Sequence, residues 1–125
     1  MEKIKNTEEA LALFEKNAII YGNTFVSGNH RVCNKAHGIY MKCVNFLEDE
    51  NKIDLLLPFL GYKDVSVKCV AASILLSVYT KESKKNLKWI KRNDESMIGL
   101  LAEITLDDWK EEKRKKFLKK LWPFN

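Results

Sequence analysis

Apolar residues recur along this chain at helical spacing, in blocks separated by short polar or glycine-bearing breaks, and the pattern predicts helices throughout. In the first block Ala10, Leu11, Phe14, Ala18 and Tyr21 share one face, with Glu8, Glu15 and Lys16 outside it. Asn6 with Glu9 three residues on has the form of a capping box and opens this helix. Gly22 is expected to kink or end it, and Ser27-Gly28-Asn29 is the firm break, since glycine suits the position just past a helix C-terminus. A second helix is expected from about Asn29 to Glu48, with Val32, Ala36, Ile39, Tyr40, Cys43, Phe46 and Leu47 as its inner stripe. Asn34 falls mid-helix, where it would want a hydrogen-bond partner if buried.

The polar stretch Glu48 to Asn51 leads into a short helix, Ile53 to Leu60, and then into the turn Gly61-Tyr62-Lys63. Asp64 is the expected N-cap of the next helix, its carboxylate accepting from orphan N–H groups of the first turn. From Val65 to Tyr79 one stripe holds Val67, Val70, Ala71, Ile74, Leu75 and Val78, while Cys69, Ala72 and Leu76 fill much of the other side. A helix apolar nearly all round must be covered on more than one side, so this one is expected at the centre of a stack. A short helix follows from Glu82 to Lys91 around Leu87, Trp89 and Ile90, with Asn93-Asp94 as turn and cap. Ile98, Leu101, Ala102, Thr105 and Trp109 then share one helical face. Ala72 and Ala102 are 30 residues apart, as are Leu76 and Leu106, and paired helices at such a period are the signature of an α-solenoid. The expected fold is therefore all-α: a short solenoid of about six or seven helices packed as antiparallel pairs, in a single domain over residues 1–125. Its last part, residues 110–125, is expected to be a basic amphipathic helix whose Phe117, Leu118, Leu121 and Trp122 cap the stack before Pro123 ends it.

Composition narrows the class. A 46% hydrophobic and 31% charged chain of 125 residues belongs with soluble globular domains. No apolar run reaches the ~18 residues of a membrane span, and the N-terminus has no signal-peptide core, so a cytoplasmic protein is expected, without a membrane partner. Cys33, Cys43 and Cys69 are odd in number and lack C-x-x-C spacing, which suits buried free thiols in a reducing compartment. The net charge of +5 is lopsided: residues 1–60 hold seven Lys/Arg against eight Asp/Glu, and residues 61–125 hold fifteen against nine.

Pro58-Phe59-Leu60, Asp64, Val67, Lys68, Ala71-Ala72 and Leu75 resemble a HEAT repeat, with Lys68 standing where that family usually has arginine. Over its length the chain also resembles a group of compact bacterial HEAT-like domains of uncharacterised function. The features that carry this are Gly28-Asn29, Asn34, the helix pair Leu55–Tyr79, and Leu106-Asp107-Asp108-Trp109. Some such domains lie beside toxin genes and look like immunity proteins, so the resemblance implies a non-catalytic module that binds and neutralises a cognate toxin.

Candidate chemistry is sparse. His30, Cys33 and His37 share one helical face and could offer three metal ligands, but no fourth is legible, so ordinary packing is expected and no metal or cofactor. Cys33 with His37 has no orienting acid or oxyanion-hole loop at a readable spacing, and no enzyme or small-molecule substrate is expected. Two surfaces remain. Glu48, Asp49, Glu50 and Asp54 form an acidic patch suited to a basic protein such as a nuclease toxin. Lys84, Lys85, Lys88, Lys91 and Arg92, with Lys81 and the tail lysines, form a basic face that suits an acidic partner or, as the alternative reading, nucleic acid.

Overall fold

The computed structural model describes residues 3–121, which form five α-helices and one 3-10 helix, with no strand among the described residues. The helices are α1 (Thr7–Ser27), α2 (His30–Asp49), the 3-10 helix Ile53–Gly61, α3 (Val65–Leu75), α4 (Thr80–Asn93) and α5 (Met97–Leu121). The all-α expectation holds.

The starts of α1, α2, α3 and α5 follow from side chains that take up orphan N–H groups, whereas the 3-10 helix and α4 start without one. The Asn6 side chain accepts from Glu9 N at 2.9 Å, Asn29 from Val32 N at 3.3 Å, and Asp64 from Ser66 N at 2.9 Å and Val67 N at 3.1 Å. At the start of α5, Asp94 accepts from Ser96 N and Gly99 N, and the Ser96 hydroxyl accepts from Ile98 N. Asp64-x-Ser66 and Asp94-x-Ser96 thus open α3 and α5 with the same device, in register with the 30-residue offset of Ala72 and Ala102. Gly28 closes α1 with φ of 80°, a left-handed conformation that glycine adopts without penalty. The Ile53–Gly61 segment winds as a 3-10 helix, and Pro58 inside it has no N–H to donate.

Successive helices pack antiparallel. Tyr21 of α1 meets Cys33 and His37 of α2 while Phe14 meets Tyr40, and Lys91 of α4 meets Glu103 of α5 while Lys84 meets Trp109. Helix α3 lies against α1, the 3-10 helix, α4 and α5, which is why Val67, Cys69, Val70, Ala71, Ala72 and Leu75 are all buried. Helices α1, α3 and α5 touch one another pairwise, so the stack curls on itself instead of running on as an open ramp. An aromatic cluster of Phe14, Tyr40, Phe59 and Tyr21 joins α1, α2 and the 3-10 helix, with ring centroids 5.3 to 5.9 Å apart. Each such pair contributes about 0.5–1.5 kcal/mol beyond its area.

Several expectations need correction. Gly22 does not end α1, which runs on to Ser27; it is buried where α1 crosses α3, and a Cβ there would lie 1.8 Å from Ser66 Oγ. Val32, expected on the inner stripe of α2, is 39% exposed, at the edge of the seam with α1 where it borders Leu13 and Ile20. Helix α3 ends at Leu75, and Val78 points outward from the turn before α4. The tail continues α5 without a break, but residues 110–117 are all exposed, Phe117 at 60%, so this part of the predicted cap covers no core. The Leu118 and Leu121 side chains, Trp122, Pro123 and Phe124 lie outside the described residues.

Candidate functional site

Helix α4 is held by a narrow inner stripe, Ser83, Leu87 and Ile90, and everything opposite is free to carry charge. Lys81, Lys85, Lys88 and Arg92 fall at i, i+4, i+7 and i+11, which at about 100° per residue confines them to one outward sector. All four are exposed, and no ion pair to any of them occurs among the described residues. With Thr80 and Lys84 they line a shallow cavity of about 590 Å³.

The predicted basic set therefore splits. Lys85, Lys88 and Arg92 face outward, whereas Lys84 and Lys91 turn toward α5. The Lys84 ammonium sits 4.5 Å from the Trp109 ring centroid, with Lys113 also at 4.5 Å from that ring, and Lys91 Nζ lies 3.8 Å from Glu103. Such contacts hold a cation in place without hiding it.

On the other flank of α4 lies a second groove of about 560 Å³ that the sequence reading missed. Leu57, Leu60 and Gly61 of the 3-10 helix form one wall; Lys85, Asn86, Trp89 and Arg92 of α4 form the other, with Glu82 and Lys68 at its edges. Trp89 is 47% exposed, and Lys68 Nζ rests 4.3 Å from its ring centroid. Lys85 and Arg92 border both cavities and form the ridge between them. Helical geometry carried a signal for this: Trp89 follows the outward Lys88 and precedes the buried Ile90, so it must lie on the flank between them.

The predicted acidic patch is formed by exposed groups. Glu48 and Asp49 occupy the last turn of α2, Glu50 caps it, and Asp54 opens the 3-10 helix. Three of these carboxylates thus stand at the negative end of the α2 dipole, an arrangement unfavourable by about 0.3–1 kcal/mol each.

His30, Cys33 and His37 do not converge. The Cys33 thiol is buried against the Tyr21 carbonyl at 3.6 Å, His37 packs on Tyr40 at 5.0 Å between centroids, and His30 is exposed. Among the described residues no group of three His, Cys, Asp or Glu is placed to hold a metal. The groups perturbed by burial belong to the core. Burial pushes the Cys69 thiol up to about 12 and Cys43 up to about 11, and burial followed by the neighbouring Tyr21 raises Tyr40. Tyr62 is raised because its hydroxyl donates to Glu15 at 2.7 Å, a bond that ties the end of the 3-10 helix to α1.

A third cavity, of about 460 Å³, lies between α1 and α2 and is lined by Leu13, Asn17, Ile20, Val32 and Ile39. No described helix is long and apolar enough to cross a membrane. The chain matches no family model, no curated protein and no solved structure.

Proposed function

We propose that this chain is a non-catalytic protein-binding module and, within that class, an immunity protein that neutralises a cognate bacterial toxin by one-to-one association. The observation that carries the reading is the outer surface of α4, where Lys81, Lys85, Lys88 and Arg92 stand exposed, without an ion pair among the described residues, beside an exposed tryptophan. Interfaces are built from such elements: an aromatic anchor in a concave site, with charges around it that steer approach and select the partner. The toxin assignment rests on the resemblance to compact HEAT-like domains. Glu48, Asp49, Glu50 and Asp54 are the contact surface this reading assigns to a basic toxin, and the α4 face the one it assigns to an acidic toxin.

The test is capture of partners by the tagged protein from its native cytosol, eluted first at low and then at high salt, with mass spectrometry and nucleic-acid staining of each fraction. One polypeptide in equimolar amount, retained at high salt, is expected. That polypeptide expressed alone should arrest growth, and co-expression of this chain should restore it. A partner whose expression is harmless would remove the toxin assignment and leave the binding module.

The row from Lys81 to Arg92 also favours a second reading, contact with nucleic-acid phosphates. It predicts affinity that falls steeply with salt, and loss of binding when Lys85, Lys88 and Arg92 are neutralised together. Nucleic acid released as salt rises, with no equimolar polypeptide, would sink the protein-binding reading in favour of this one.

A further inference from the structure

We infer that the groove between the 3-10 helix and α4 receives a short acidic segment of the protein partner, anchored by one apolar side chain; the inference rests on the protein-binding reading above. Its walls sort by chemistry. Leu57 and Leu60 line the apolar side, and Gly61 leaves space, since a Cβ built there would meet no atom within 4 Å. Opposite them stands the half-exposed Trp89 indole, and around it are three cations, Lys68, Lys85 and Arg92, against the single acid Glu82. An aliphatic side chain entering over Gly61 would rest against the leucines and the part of the indole that Lys68 leaves uncovered. Carboxylates on either side of it would then reach cations that already stand along the groove. The charge excess on the rim selects an acidic segment, and Glu82 sets a register by repelling any carboxylate placed opposite it.

Nucleic acid fits this groove less well than it fits the outer lysine row. A stacking platform needs an open aromatic face, and Lys68 already lies over the Trp89 ring at 4.3 Å. The wall of Leu57, Leu60 and Gly61 offers no side-chain donor to a phosphate or a base.

The test uses the full-length protein and a fluorescein-labelled peptide in which glutamates flank one central leucine. The comparison probes replace that leucine by glycine, replace the glutamates by lysines, or are a single-stranded oligothymidine. The diagnostic variant is Gly61→Leu, which fills the groove without touching a charge. Gly61 is not in the left-handed region, and its Cβ position is open, so an unchanged melting curve serves as the control. The leucine-centred peptide is expected to bind at one site and perturb the Trp89 emission, read as the difference between wild type and Trp89→Phe. Affinity should fall about tenfold or more on Gly61→Leu, and similarly on removal of the peptide leucine. Lys85→Glu with Arg92→Glu should abolish binding of the acidic probe and admit the lysine probe. Binding indifferent to Gly61→Leu and to the leucine would overturn the groove assignment, as would oligothymidine displacing the peptide at equal concentration. An equimolar protein partner that Gly61→Leu still retains would sink the groove alone. The absence of any such partner would sink the protein-binding reading itself.

Discussion

Replacing Gly22 by alanine sets two local effects against each other, and the structure decides which one wins. In an isolated helix the change is favourable by about 1 kcal/mol, because glycine loses more backbone entropy on folding than alanine. Here the added Cβ would lie 1.8 Å from Ser66 Oγ, 2.2 Å from Ser66 Cβ and 3.3 Å from Ser66 Cα. Rotating the serine relieves only the first contact. Relief of the second requires α1 and α3 to separate by more than an ångström at their crossing, beside the fully buried Val67 and Ala18. Overpacking of this kind costs about 3 kcal/mol at the upper end of its range. The net loss is then about 2 kcal/mol, or roughly 8 °C in melting temperature for a domain of this size. Chemical and thermal unfolding followed by far-ultraviolet circular dichroism measures it. Ser66→Gly removes both side-chain atoms and leaves only the 3.3 Å contact, which a small shift absorbs. The double variant should therefore recover most of the loss, with a coupling of about 2 kcal/mol in the cycle. A Gly22→Ala protein more stable than wild type, or a cycle without coupling, would refute the close crossing.

Two further outcomes follow from buried polar groups. Ser83 Oγ is buried without a hydrogen-bond partner among the described residues, so Ser83→Ala should raise stability by about 1 kcal/mol; a loss of that size in urea unfolding would show that the hydroxyl is satisfied. Stability should also fall at alkaline pH, because Cys43 and Cys69 ionise near 9 when unfolded but are held up to about 11 and about 12 by burial when folded. Their contribution is complete below pH 9 and is lost as pH rises through the folded values, with a slope of about 1.4 kcal/mol per pH unit for each thiol. Denaturant midpoints across pH 8 to 10 check this, and a Cys43→Ala, Cys69→Ala variant that kept the full slope would contradict it.

Helix ends were the most legible feature, since Asn6, Asn29, Asp64 and Asp94 act within their own first turns and need no tertiary information. The buried face of α3 was legible for a similar reason: a helix apolar all round has nowhere else to go. What failed were inferences about which faces have neighbours. Val32 and Phe117 read as inner residues from spacing, yet spacing reports only that a face is apolar, and both are exposed. Gly22 read as a breaker because a glycine in a helix says nothing local about the serine 44 positions later that lies over it. The Trp89 groove needs Leu57, Leu60 and Lys68 from two other elements, and no pattern within α4 reveals them.

The two charged surfaces stand apart from the scaffold in one physical respect. At the starts of α1, α2, α3 and α5 the chain obeys the local rules, with Asn or Asp accepting from first-turn N–H groups, whereas α4 starts after Tyr79 without a side-chain cap. At the candidate surfaces it departs from them. Helix α2 ends on Glu48, Asp49 and Glu50 with no basic residue in its last turn, and Lys81 stands in the first turn of α4, at its positive end. Glu82, Lys91 and Arg92 of α4 do follow the dipole, so the departure is confined to particular positions. Among the outward residues of α4, Lys81 and Lys85 gain no ion pair in return among the described residues. Local rules broken without a compensating contact are expected where a surface serves something outside the chain. The α4 face adds a concave neighbour with an exposed indole, and on that ground it is the stronger of the two proposed surfaces.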